Sequence, residues 1–419
     1  MIAAHLLRKY NPAEWGGTET ALHRLCDGLR QGGVDSVVYC PRIPAGAGSD
    51  PLAEAGCVVK RFHSSVPIWG IAPEQRRQMI AVGGNLMSFG LIRALWREPG
   101  LALVHSHTLG RIGGIGLRVA RRRGLPFVVT THGGVYDMPI PLKDSLNAYA
   151  GRGWEWGKLC GLMLGTRRLL ADADAVVTCN PREAELIQKR HPGQRVVVQP
   201  HGVQVPLFQA DHRAAAHAAF PEIRGRQVLL AVGRIDAVKN QSWLVEQLGE
   251  LAARHPKLLL VLAGASTDQG YSDALDRRIG LLGLGQNILM TGGLPPGDPR
   301  LIGLLQEARA VVLPSVSETF GLVILEAWAA GTPVTSTRTS GANSLIEDGK
   351  TGLLFDLGRP EEFHRGIDRL WSDSVLSSRL AAAGHERAIA HFDTRVLAGR
   401  MRDLYHNLVE EKHALRHRS

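Results

Sequence analysis

Short runs rich in valine, isoleucine, leucine and alanine alternate along the chain with longer stretches whose apolar positions recur at helical spacing. In the first half the runs are Ile2–Leu7, Ser36–Tyr39, Cys57–Arg61, Leu101–His105, Pro126–Thr130, Ala175–Thr178 and Arg195–Val198. In the second they are Val228–Val232, Leu258–Ala263, Asn287–Met290, Ala310–Leu313, Pro333–Ser336 and Gly352–Phe355. Continuous apolarity marks strands that are covered on both faces. Strand–helix alternation of this kind builds parallel sheets flanked by helices.

The rhythm breaks at 200–226 and then restarts. The pattern predicts two doubly wound α/β domains, 1–203 and 204–395, with a last long helix of about 396–419 that is free to pack back on the first. Ligands of such domains bind beyond the carboxyl ends of the strands, so the chemistry is sought in those loops.

Composition changes this picture little: 419 residues, 44% hydrophobic and 21% charged, are ordinary globular values. Five cysteines, an odd count with no C-x-x-C pair, speak against a disulfide framework or zinc site and favour a reducing, cytoplasmic setting. Met1 leads into Ile2–Leu7 without a signal-peptide pattern, and no apolar run reaches the ~18–20 residues that span a bilayer. Charge is more informative. Residues 1–200 hold 25 Lys/Arg against 15 Asp/Glu, while 201–419 hold 24 of each, so the whole excess lies in the first half. Arg76 to Arg97 reads as a basic amphipathic helix, and Trp154 to Arg168 as another. Both suit peripheral contact with an anionic membrane face, or equally two ordinary helices on the first sheet.

The candidate chemistry concentrates in two segments. Pro314 to Pro333 follows the run Ala310–Leu313 and carries Glu318 in a loop, then a helix that opens near Gly321 and holds Glu326 among apolar neighbours. The first amides of a helix form a ready anion site. A buried carboxylate such as Glu326 needs hydrogen-bond partners, and a vicinal diol supplies two. Gly233–Arg234–Ile235–Asp236–Ala237–Val238–Lys239–Asn240 directly follows Val228–Val232. There Arg234 offers a planar fork and Lys239 a point charge, a pair suited to a departing diphosphate.

These two segments, G-R-x(4)-K-N and E-x(7)-E, resemble the family-four retaining glycosyltransferases of GT-B fold. The resemblance implies two Rossmann-like domains facing each other across a cleft, and a nucleoside-diphosphate sugar, UDP- or GDP-linked, as donor. It implies that Arg234 and Lys239 hold the diphosphate, Glu326 the ribose and Glu318 the donor sugar. The amides of Phe320, Gly321 and Leu322 would add contacts.

In the first half the Gly16–Gly17 turn matches the family's glycine turn beside the donor, and His132, before Gly133, matches a histidine close to the transferred sugar. Glu318, His132, Arg234 and Lys239 are therefore the expected catalytic residues, with His107 and Gly133 as acceptor contacts. His201 replaces the asparagine usual at the domain junction. Ser340–Gly341–Ala342–Asn343–Ser344 stands where relatives often have Gly-Gly-x-Pro-Glu, which leaves the detailed sugar contacts open.

No cofactor or metal is expected. His105 and His107 show no third ligand, and Asp172–Ala173–Asp174 precedes a strand rather than ending one. The implied acceptor is a glycan or lipid-linked hydroxyl. An epimerase or phosphorylase on the same scaffold, or a non-catalytic binder of nucleotide sugars or nucleic acid, remain alternatives. With 5% aromatic residues and no recognised motif, nucleic acid is not expected as a partner.

Overall fold

The structure, a computed structural model, describes residues 1–12, 16–42, 50–81, 83–84, 86–133, 136, 155–295 and 297–416. The chain divides into two compact units, residues 1–200 with 394–419, and residues 201–393.

Among the described residues the first unit holds a seven-stranded sheet: β1 (Ile2–Leu6), β2 (Asp35–Pro41), β3 (Val58–Phe62), β4 (Leu101–Ser106), β5 (Phe127–Thr131), β6 (Ala175–Thr178) and β7 (Val196–Val198). All neighbours run parallel in the order β3-β2-β1-β4-β5-β6-β7. β1 is buried almost throughout because both of its faces are covered. On one face Ala4, Leu6, Val104 and Val129 pack with Ile112, Ile115 and Leu91. On the other, Ala3, Leu103, Val128 and Val177 meet Met401, Tyr405 and Leu408 of the helix Thr394–Arg416. That helix crosses the helix Gly17–Gln31 at Gly28, where an added Cβ would stand 2.5 Å from that of Ala398.

The second unit holds six parallel strands: β8 (Gln227–Val232), β9 (Leu258–Ala263), β10 (Ile288–Gly292), β11 (Ala310–Leu313), β12 (Val334–Thr337) and β13 (Leu353–Phe355). Their order is β10-β9-β8-β11-β12-β13. In both sheets the winding reverses once, between β1 and β4 in the first and between β8 and β11 in the second. The loops that leave those strands diverge there and open a crevice, the usual ligand site of such sheets.

The expected helix from Arg76 to Arg97 is two helices, Pro73–Ala81 and Phe89–Arg97. Between them Met87 pairs antiparallel with Ser65, and Ser88 caps the second helix by accepting from the Leu91 amide. The stretch after Trp154, itself outside the described residues, forms the helix Gly157–Met163 and then a 3-10 turn, Thr166–Arg168. The five cysteines are free thiols. Among the described residues no helix is long and apolar enough to cross a membrane.

Candidate active site

The two loops at the reversal point of the second sheet are tied to each other. After β8, Asp236 Oδ1 accepts from the amides of Val238 (3.0 Å) and Lys239 (2.9 Å), an Asx turn that folds the loop back. Asn240 takes a left-handed backbone (φ 58). Its side chain donates to the Pro314 carbonyl at 3.2 Å. The Val316 amide donates to the Val238 carbonyl at 2.9 Å. These links carry Lys239 to the loop after β11, where its Nζ meets Glu318 Oε2 at 2.5 Å. Arg234, half exposed, pairs with Asp236 at 3.1 Å. A cation and a carboxylate that lie 79 residues apart in sequence, Lys239 and Glu318, thus share one place.

The helix Leu322–Ala329 begins at Gly321, whose backbone is left-handed (φ 98), a conformation that costs glycine little. The loop before it is held from the far side. The Glu318 carbonyl accepts from the Gly341 amide at 2.8 Å and from the Ser340 hydroxyl at 3.3 Å. Thr337 donates to the Ser315 carbonyl at 2.6 Å. Gly341 is close packed: a Cβ there would stand 2.5 Å from the Phe320 nitrogen. Phe320 is buried, edge-on to His201, with ring centroids 4.9 Å apart. So Ser340 and Gly341 support the loop through backbone and hydroxyl contacts. Glu326 is 7% exposed, between Leu325 and Ala327, which are fully buried. A carboxylate so placed favours an environment rich in hydrogen-bond donors.

In the first unit Gly16 precedes the helix Gly17–Gln31, and its carbonyl accepts from both the amide and the hydroxyl of Thr20 at 3.0 Å. His132 and Gly133 follow β5. His107 follows β4, and its amide donates to the Leu6 carbonyl at 3.0 Å. Sequence reading treats His107 as an acceptor contact. The structure leaves it 7% exposed and engages both of its ring nitrogens with other histidines, His5 and His132, at 3.0 Å each. His5 carried no signal in the sequence, because it sits inside an apolar strand with no spacing relation to the others. It also brings a third imidazole beside His105 and His107, with ligand atoms all within 4.8 Å of one another.

Burial pushes His5 down to about 3. Burial, with a smaller contribution from Arg8, pushes His132 down to about 4. Both are therefore neutral at physiological pH.

Two family models cover most of the chain: a glycosyl transferase 4-like domain over residues 16–202 and glycosyl transferases group 1 over residues 213–387. A D-inositol 3-phosphate glycosyltransferase of Frankia alni is 32% identical over 321 residues, which span 74% of this chain and 76% of that relative. The chain is a group 1, family-four glycosyltransferase.

A second D-inositol 3-phosphate glycosyltransferase, from Arthrobacter sp., matches this glycosyltransferase at 28% identity over 94% of its length and 91% of the relative's. The fold is GT-B. The crystal structure of Anabaena Alr3699/HepE in complex with UDP and glucose superposes with a TM-score of 0.73 at 18% identity, covering 97% of this chain and 100% of that one. The enzyme transfers a sugar from a nucleotide sugar, and the tied loops after β8 and β11 are its candidate donor site.

Proposed function

We propose that this glycosyltransferase moves a hexosyl unit from a UDP- or GDP-sugar to a hydroxyl of a glycan or lipid-linked acceptor, with retention at the anomeric carbon. The observation that carries this reading is the contact of Lys239 with Glu318 at the reversal point of the second sheet. It puts a cation for the diphosphate and a carboxylate for sugar hydroxyls within one hydrogen bond of each other. Arg234 and Lys239 stabilise the negative charge of the leaving nucleoside diphosphate without reorganising, and do so without a metal. Glu326 accepts from the ribose diol, and the amides of Phe320, Gly321 and Leu322 complete the donor contacts. The unit of residues 201–393 is thus the donor-binding one, and the first unit, through Gly16, Gly17, His132 and Gly133, receives the acceptor and the transferred sugar.

The acceptor hydroxyl attacks on the face from which the diphosphate leaves. Its proton passes to the leaving phosphate oxygen, the new C–O bond forms as the old one breaks, and the anomeric configuration is kept. UDP and glucose are what Alr3699/HepE holds in its crystal structure, which makes UDP-glucose the first donor to try.

The basic first unit contacts an anionic membrane on its cytoplasmic side. Leu159, Leu162 and Met163 are 66–71% exposed on the helix Gly157–Met163; Lys158, Arg167 and Arg168, near them in sequence, are exposed cations, and Arg118 donates to the Met163 carbonyl at 2.7 Å. Such a face suits an interfacial position. One screen tests the whole reading: UDP- and GDP-hexoses offered with soluble glycans or with acceptor lipid in anionic vesicles, the product analysed by NMR. The expected result is a product with the donor's anomeric configuration, and enzyme that sediments with anionic vesicles at low salt. An inverted product, or transfer to inorganic phosphate, overturns the mechanism, and indifference to anionic lipid removes the membrane contact.

A further inference from the structure

Four histidines lie at the carboxyl ends of three adjacent strands of the first sheet: His5 in β1, His105 in β4, His107 just beyond it and His132 just beyond β5. Three of them form a hydrogen-bonded line. His5 Nδ1 is 3.0 Å from His107 Nε2, and His107 Nδ1 is 3.0 Å from His132 Nε2. At the inner end, His5 Nε2 is 3.4 Å from the Ser36 hydroxyl. His105 flanks this line, its ring centroid 4.2 Å from that of His107. Its own bonds run sideways, to the Tyr405 hydroxyl at 2.5 Å and the Thr130 hydroxyl at 2.6 Å.

A neutral imidazole has one N–H and one lone pair, so each ring–ring bond needs a donor on one side and an acceptor on the other. Both bonds here run from an Nδ1 to an Nε2, which makes the proton positions propagate. If His5 holds its proton on Nδ1, then His107 Nε2 accepts, His107 Nδ1 donates and His132 carries Nδ1–H. If His132 holds its proton on Nε2, the same logic runs back and all three carry Nε2–H, with His5 donating to Ser36. No mixed arrangement makes both bonds.

We propose that His5, His107 and His132 form a tautomer-coupled chain in which His5 and His107 are positioning residues. They orient the His132 ring and decide whether its Nδ1 donates or accepts. Burial supports the neutral forms that the chain requires: His5 is fully buried and pushed down to about 3, and His132 to about 4. The consequence for turnover rests on the reading that His132 stands beside the transferred sugar. A developing negative charge needs the Nδ1–H form, and a ring held in the wrong tautomer cannot supply it. The chain itself does not depend on that reading.

The test is a long-range 1H–15N spectrum of the full-length protein with 15N-labelled histidine, assigned through single substitutions at His5, His107 and His132. The expected result is one shared tautomer for all three. Opposite tautomers, or an imidazolium, at any one of them at neutral pH overturns the chain. So does a stoichiometric metal found by elemental analysis and lost in His5→Asn, because it would take the place of the His5–His107 bond.

A second arm reads catalysis. His107→Phe keeps ring volume and is expected to lower kcat at least about tenfold with little change in KM. His107→Asn keeps a polar group near the Nδ1 position and is expected to restore part of that loss. Wild-type kcat in His107→Phe overturns the positioning role and leaves the donor loops untouched. If His107→Phe does not fold, or no transfer is detected with any donor, the wild-type spectrum still decides whether the chain exists.

Discussion

Lys239→Ala is expected to lower the turnover of sugar transfer by about 10²–10³-fold, with the fold intact. The side chain is 22% exposed and its ammonium lies 2.5 Å from Glu318 Oε2. No apolar core rests on it, so its removal leaves little cavity. Its loss has two effects. The leaving diphosphate loses a fixed cation in a site that shields charge poorly, and the Glu318 carboxylate loses its partner. The first lowers kcat and the second weakens donor binding, so kcat/KM falls further than either alone. Lys239→Arg is expected to recover only a fraction, because a planar guanidinium reaches neither position with the geometry of an ammonium. Initial rates at saturating donor, beside thermal melting curves, check both halves: near-normal kcat removes Lys239 from the site.

Glu326→Ala is expected to raise the KM for the donor by about 10- to 100-fold, with a smaller effect on kcat. Hydrogen bonds to a charged group contribute roughly 1.5–3 kcal/mol, and each 1.4 kcal/mol is about a factor of ten in affinity. Glu326 is 7% exposed and sits in the helix Leu322–Ala329 beside the fully buried Trp328, whose indole donates to the Thr351 carbonyl at 2.9 Å. That packing fixes the helix rotation and with it the direction of the carboxylate. Glu326→Gln keeps the shape and is expected to fall between. Binding of the nucleoside diphosphate by calorimetry separates this loss from any change in chemistry, and unchanged affinity in Glu326→Ala contradicts the ribose role.

The strands were legible because each is a short continuous apolar run: every run singled out by pattern coincides with a strand of β1–β13 to within a residue or two. The positions of the loops after β8 and β11 were legible for a related reason. A parallel strand fixes where its loop leaves, so the apolar pattern alone places Arg234, Lys239 and Glu318 just beyond strand ends. What holds those loops in shape was not legible. Asp236 folds its loop through two amides, and Thr337 at the end of β12 and Gly341 in the helix that follows it brace the loop before Gly321. The first is a local turn and the second joins residues about twenty positions apart, and all of them are ordinary in type.

His5 was hidden in the same way, because its partners His105 and His107 lie about a hundred residues on and meet it only through the β1–β4 pairing. The single helix expected from Arg76 to Arg97 failed for a local reason. Periodicity carries across Gly83–Gly84, but Gly83 takes a left-handed backbone (φ 68) and the chain then turns to pair Met87 with Ser65.

The central claim is that the loops after β8 and β11 together hold a nucleoside-diphosphate sugar. A crystal structure of the enzyme with UDP-glucose, or with whichever donor the screen selects, tests it most directly. Diphosphate oxygens within hydrogen-bond reach of Arg234 and Lys239, with the ribose diol on Glu326, are the expected result. A nucleotide seated elsewhere, with those three side chains untouched, would contradict it.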